Sequence, residues 1–193
     1  GERAKVAVVD TGIDFTHPDL AANYAGGVNF VDGKKPPMDD NSHGSHVAGT
    51  IAGAKDGRGV VGVAPKARLY AVKVLDAEGG GNLTDIIKGL LWCGRNGMHV
   101  ANFSLGAPVN SVFMRLAVSY AKMKGVAVIA AAGNSGGSVS YPAAYEDAIA
   151  VAASDSKDRI ADFSSRGPQV DFIAPGVDVL SSVPGGKYDS YSG

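Results

Sequence analysis

Three side chains in this sequence could combine into acyl-transfer chemistry: Asp10 after a strand, His43 at the start of a helix, and Asn134 after another strand. Lys5-Val6-Ala7-Val8-Val9 is a valine-rich run of the kind that forms a central strand buried on both faces, and it ends at Asp10-Thr11-Gly12. Ligands of open α/β sheets bind beyond the carboxyl ends of strands, so Asp10 stands either at a functional edge or in a simple turn. The polar run Asp39-Asp40-Asn41-Ser42 passes abruptly into His43-Gly44-Ser45-His46-Val47-Ala48-Gly49-Thr50. That spacing predicts a small-residue helix capped by Asn41 or Ser42 and running toward Gly53. At the positive end of such a helix the dipole opposes protonation, which predicts a neutral ring able to accept a proton. Asn134 follows the apolar run Val126 to Ala132. A carboxylate that orients an imidazole, an imidazole that moves a proton and an amide that donates to a developing oxyanion together suit acyl transfer.

Other chemistries compete for the same residues. His43 and His46 lie three apart on one helical face, as metal ligands can. The zinc-protease pattern needs histidines four apart with a glutamate next to the first, and Gly44 and Ser45 stand there instead. A histidine near a helix start can also be a plain hydrogen-bonding residue. A nucleotide module would use the same sheet edge, but the first strand runs into Asp10-Thr11-Gly12 with no Gly-x-Gly-x-x-Gly, and no Gly-Lys-Ser/Thr phosphate loop occurs. Asp14, Asp19, Asp39 and Asp40 fall in loop-like sequence without the strand-end position of Asp10.

The elements that must position these groups alternate. Strands are expected at 68–75, 100–106, 126–132 and 148–153, with shorter ones near 172–174 and 179–182. Between them fall helices, one opened by Asn82 or Thr84, another over about 111–124 with apolar residues at Val112, Leu116, Tyr120 and Met123 and a stop at Gly125. Residues 18–37 read as loop-rich. This alternation predicts an α/β fold with a mostly parallel buried sheet flanked by helices. The 193 residues suit one domain, and a formal net charge of -1 implies no nucleic-acid face. Nothing reads as a membrane span, and the lone Cys93 reads as a buried core thiol.

The motifs resemble those of the subtilisin-like serine peptidases, the subtilases. Val8-Val9-Asp10-Thr11-Gly12-Ile13-Asp14 resembles the family's aspartate motif. His43-Gly44-Ser45-His46-Val47-Ala48-Gly49 resembles its histidine motif, with Ser45 where threonine is usual. Ala132-Gly133-Asn134 is similar to the oxyanion-asparagine segment, and Phe163-Ser164-Ser165-Arg166-Gly167-Pro168 to a later signature. The resemblance covers essentially the whole chain and implies a three-layer catalytic domain. In it Asp10 orients His43, His43 is general base and then acid, Asn134 is the oxyanion donor and His46 is structural. The family's serine stands in a Gly-Thr-Ser-Met-Ala segment, and Tyr191-Ser192-Gly193 resembles the approach to it. Residues 1–193 are therefore expected to be one partial domain, without the N-terminal segment and the serine-bearing helix, and inactive alone. Neither Ser104 nor Ser192 matches the motif serine.

The resemblance also implies a cleft for polypeptide substrates, rimmed by residues 75–81 and 104–106. Leu75, Gly79, Gly80, Leu83, Ser104, Leu105, Gly106, Ala132 and Gly133 are its expected substrate-binding residues, with Ile86 either in the cleft or in the core. No charged residue is expected on a pocket wall, so broad preference for apolar or aromatic side chains follows. Ca²⁺ is the implied metal, held by Asp19 and Asp56 with backbone carbonyls of Ala54, Arg58 and Val60 on a glycine-rich loop. Secretion and a pro-segment or proteinaceous inhibitor as partner are likewise implied. A non-catalytic peptide-binding relative is the alternative.

Overall fold

A computed structural model describes all 193 residues. In chain order the elements are β1 (Lys5–Asp10), α1 (Pro18–Ala21), β2 (Tyr24–Asn29), α2 (His43–Ala52), β3 (Arg68–Lys73), α3 (Leu83–Arg95) and β4 (Val100–Phe103). These are followed by α4 (Val112–Met123), β5 (Ala127–Ala131), β6 (Ile149–Ser154), β7 (Val170–Pro175), β8 (Val179–Val183) and β9 (Lys187–Tyr191). Seven strands form one sheet in the order β2-β3-β1-β4-β5-β6-β7. Every neighbouring pair in it is parallel. The α/β expectation thus holds, and β1 lies inside the sheet, with Asp10 beside Lys73 of β3.

Alternation along β1 divides the molecule into layers. Ala7 and Val9 join a core with Leu90 and Cys93 of α3 and Met114, Ala117, Val118 and Ala121 of α4. Val6 and Val8 point the other way, into a core with Leu20 of α1 and Ala48 and Ala52 of α2. Cys93 is buried and free, and burial pushes its thiol up to about 12, so it is a core side chain. Asn82 caps α3 by accepting the Asp85 N–H at 2.9 Å, and Ser111 caps α4 through the Met114 N–H at 3.3 Å. Gly125, at φ 84°, follows the end of α4.

Three sequence expectations change. Residues 18–37 are not all loop: they hold α1 and the edge strand β2, whose Gly26 and Gly27 erase any alternating pattern. A side chain at Gly27 would overlap the Ala71 carbonyl of β3, so the glycine that hides the strand is what lets it pair. On α4 Val112, Leu116 and Met123 are exposed, and Met114, Ala117, Val118 and Ala121 form the buried face. Small residues there allow α4 to approach α3 closely, where Tyr120 comes so near Gly94 that a Cβ would lie 2.7 Å from its ring.

The third change is β9, which pairs antiparallel with β8. This hairpin packs against α2 and is fastened at His46. The His46 Nε2–H donates to the Val179 carbonyl at 2.8 Å, and the His46 carbonyl accepts from Ser181 Oγ at 2.7 Å. The His46 ring stacks on Tyr191 with centroids 4.3 Å apart, and the Tyr191 hydroxyl meets Ser42 Oγ at 2.7 Å. Gly49 gives the hairpin room, since a Cβ there would stand 2.5 Å from Ser181 Oγ.

Burial pushes the His46 pKa below its ordinary value, partly offset by the bond to Val179. A histidine lowered in the folded state contributes its stability above the unfolded value, and loses it as pH falls toward the folded one. His46→Ala should therefore lower Tm, with a loss of about 1–3 kcal/mol for the hydrogen bond and the stack. It should also remove part of the parent's decline in Tm below about pH 6.5. Melting curves across pH check this, and an unchanged Tm would refute the fastening role.

Candidate active site

The parallel sheet brings the carboxyl ends of β1 and β5 to the same edge, and α2 starts beside β1. Gly44 makes that approach possible, because a Cβ there would overlap the Gly12 carbonyl oxygen. His43 Nδ1 lies 2.8 Å from Asp10 Oδ1. Asp10 is fully buried, while the His43 side chain is 41% exposed toward the cleft. Asp10 Oδ1 also accepts the Thr11 N–H at 2.7 Å. Asp10 Oδ2 is buried without a hydrogen-bond partner.

This pairing reverses the expected effect of the helix terminus. The hydrogen bond that His43 donates to Asp10 raises its pKa above 6.5, opposed by burial and reinforced by the charges of Asp10 and Asp39. A carboxylate in direct contact outweighs the partial charge of a helix end. The ring orientation is set by Nδ1–H donating to Asp10, which leaves Nε2 for proton transfer.

The cap also differs from expectation. Ser42 sits at the N-cap position with φ 109° and makes no capping bond through its side chain. Asp39 takes that role: its Oδ1 accepts the Asn41 and Ser42 N–H groups at 3.0 Å each, and its Oδ2 accepts the Ser45 N–H at 2.8 Å. Asn41 contributes one bond, from the His43 N–H at 3.2 Å. Asp39 lies three residues before the N-cap position, and it reaches these amides through a turn that its loop-like sequence did not disclose. Lys73, which sequence reasoning also passed over, is almost buried. Its ammonium donates to the Thr11 carbonyl and to Asp40 Oδ1 at 2.6 Å and to the Leu75 carbonyl at 3.0 Å, tying the ends of β1 and β3 together.

A cleft of about 740 Å³ opens in front of His43. Leu75, Gly79, Leu83, Ser104, Leu105 and Gly106 line it, as does Ile86. Gly80 does not line it and instead closes the turn at Asp76, donating to Asp76 Oδ1 at 2.8 Å. Glu78 does line it, so the wall is not free of charge as expected. The Asp76 turn carries Glu78 to the rim, which its position in a loop did not disclose. A second cavity of about 240 Å³ holds Ala132, Gly133 and Asn134 together with Ser104 and Gly193. Ser104 belongs to both cavities. The nearby serine hydroxyls are engaged away from His43: Ser42 with Tyr191, Ser104 with Asn102 and Ser192 with the Asp178 N–H.

Asp19, on α1, meets the loop 54–60 that follows the C-terminus of α2, the end of that helix opposite His43. It is fully buried, and its carboxylate accepts the Val60 N–H at 2.9 Å, Ser182 Oγ at 3.2 Å and Tyr188 OH at 3.0 Å. No basic side chain forms an ion pair with it. Neutral donors alone meet this buried charge, so a hard cation would have to displace their hydrogens from the carboxylate oxygens. Ala54 adjoins it through its N–H to the Asp19 carbonyl at 2.9 Å, whereas Asp56 is turned outward to the Arg58 N–H at 3.1 Å. No group of three or more His, Cys, Asp or Glu side chains converges on a common point, so carbonyls would supply the rest of a donor set.

A sequence model described as the subtilase family matches residues 1–193. Over its full length the chain is 54% identical to Subtilisin Savinase of Lederbergia lenta, of which it covers 71%. It is 54% identical to an alkaline protease of Alkalihalobacillus alcalophilus and 49% identical to Subtilisin E of Bacillus subtilis strain 168, covering 50% and 52% of those proteins. The chain thus spans about half the length of several curated relatives that it matches along its whole extent. With the sheet-edge aspartate, the helix-borne histidine and these matches in agreement, the chain belongs to the subtilase family of serine peptidases.

Proposed function

We propose that this chain serves a serine endopeptidase in which Asp10 orients His43, His43 moves the proton and Asn134 stabilises the oxyanion. The observation that carries the reading is the 2.8 Å bond from His43 Nδ1 to a fully buried Asp10, with the ring's other edge open to a cleft. His43 Nε2 would take the proton of a serine hydroxyl as it attacks the peptide carbonyl, and then return a proton to the leaving amine. Asp10 stays ionised and stabilises the imidazolium that forms between those steps. The Asn134 side-chain amide would donate to the carbonyl oxygen as it becomes negative. The attacking serine is assigned outside these 193 residues, since none of Ser42, Ser104 and Ser192 is hydrogen-bonded to the His43 ring.

An extended polypeptide would lie along the cleft, pairing with exposed backbone near Gly79 and Ser104 to Gly106. Leu75, Leu83, Ile86 and Leu105 favour apolar or aromatic side chains, with Glu78 at the rim. Secretion, and a pro-segment or proteinaceous inhibitor as partner, belong to the same proposal. No helix is long and apolar enough to cross a membrane.

In the peptide-hydrolysing form of the protein, His43→Ala should abolish turnover and leave the fold unchanged by circular dichroism. Because the base must be neutral, kcat/KM of the parent should rise with pH through a His43 value above 6.5. The 193-residue chain alone should not be labelled by a fluorophosphonate. Full turnover in His43→Ala would exclude the reading, and stoichiometric labelling would place the nucleophile within these residues.

Ca²⁺ is proposed at Asp19, with Asp56 and the carbonyls of Ala54, Arg58 and Val60. The support is the unpaired buried charge of Asp19. The ion would neutralise that charge and join α1 to loop 54–60, and binding to the native state alone raises Tm by mass action. Chelation should lower Tm, and Asp56→Ala should remove most of that sensitivity. Identical melting curves with and without chelator would rule the site out.

A further inference from the structure

One buried carboxylate beside the Asp10–His43 pair has no part in proton transfer or oxyanion binding. Asp39 is 5% exposed, and both its oxygens are engaged. Besides the three main-chain N–H groups at the start of α2, its Oδ1 accepts the Thr11 hydroxyl at 2.8 Å. Thr11 acts in both directions. Its N–H donates to Asp10 Oδ1 at 2.7 Å, and its Oγ1 accepts the Gly44 N–H at 2.9 Å. One carboxylate and one hydroxyl thereby join the acid that holds the imidazole to the helix that carries it. No basic side chain pairs with Asp39, so its charge rests against the amides and dipole of the α2 N-terminus.

We propose that Asp39, acting through Thr11, is a positioning residue for the Asp10–His43 pair, fixing the ring's approach and adding negative potential at the imidazole. The proposal rests on His43 being the base. The titratable groups around the ring are Asp10 from β1, Asp39 from the segment before α2, His46 one turn along α2 and, across the cleft, Glu78 of the Asp76 turn. His46 is itself held by Tyr191 and Val179 of the hairpin. Lys73 of β3 directs its ammonium to the Thr11 and Leu75 carbonyls and to Asp40. Asp39 is thus the charged group, after Asp10, whose loss changes both the geometry and the field at His43.

Two variants separate those effects. Asp39→Asn removes the charge and turns an amide toward donors, whereas Thr11→Val keeps the charge and the Thr11 N–H bond to Asp10 but removes the hydroxyl that joins that residue to Asp39 and the Gly44 N–H. The readouts are the His43 titration by NMR in the 193-residue chain, and kcat and KM across pH in the peptide-hydrolysing form. Asp39→Asn should lower the His43 midpoint by about half a pH unit. It should also move the acid limb of kcat/KM by the same amount and reduce kcat roughly tenfold with KM little changed. Thr11→Val should lower kcat with a smaller change in midpoint. Parent-like midpoints and kcat in the folded variants would overturn the proposal, as would losses that merely track the unfolded fraction. If Asp39→Asn does not fold, a parent-like kcat in Thr11→Val overturns it alone. A parent protein that fails to hydrolyse peptides would instead refute the assignment of His43 as base, while the NMR titrations still decide whether Asp39 acts on the ring.

Discussion

Asp10 carries a carboxylate into a place with no solvent exposure, where one oxygen meets His43 and the Thr11 amide and the other meets no hydrogen-bond donor. Burying a charge with so little compensation is costly, and the cost falls when a neighbouring group bears or shares positive charge. Here that group is the His43 ring. The raised proton affinity of His43 is the same interaction seen from the other side, and it overrides the opposing influence of the helix terminus. Basicity and orientation are thus set by one contact.

That contact depends on backbone approach. β1 ends at Asp10 inside a parallel sheet, and α2 crosses close enough that Gly44 faces the Gly12 carbonyl with no space for a methyl group. Lys73 holds the ends of β1 and β3 in place from one side. On the other side the β8–β9 hairpin holds α2 through His46, Ser181 and Tyr191. His46, three residues from His43, therefore serves packing. The shared helical face that suggested a metal pair instead separates a ring open to the cleft from a ring bound to the hairpin.

How much of this could be read in the sequence follows from which forces leave a pattern in it. Buried parallel strands such as β1, β3 and β5 carry runs of apolar residues through their centres, so they were legible. The edge strand β2 was not, because Gly26 and Gly27 are required by its approach to β3 and carry no periodic signal. β9 was hidden by its polar residues, since its burial comes from Tyr191 on His46 and not from an alternating apolar face. Asp10 and His43 were recoverable as strand-end and helix-start residues. Asp39 was not, since capping by a side chain from before the N-cap position depends on the turn that only the fold supplies. Glu78 reached the cleft by the same kind of turn.

The central claim is that buried Asp10 fixes which nitrogen of His43 carries the proton. The most direct measurement is the ¹⁵N chemical shift of the His43 ring nitrogens in the neutral state, in the parent and in Asp10→Asn. The account predicts protonated Nδ1 and bare Nε2 in the parent, with that preference weakened or reversed when the carboxylate becomes an amide. A parent ring protonated on Nε2, or a tautomer balance indifferent to Asp10→Asn, would contradict it.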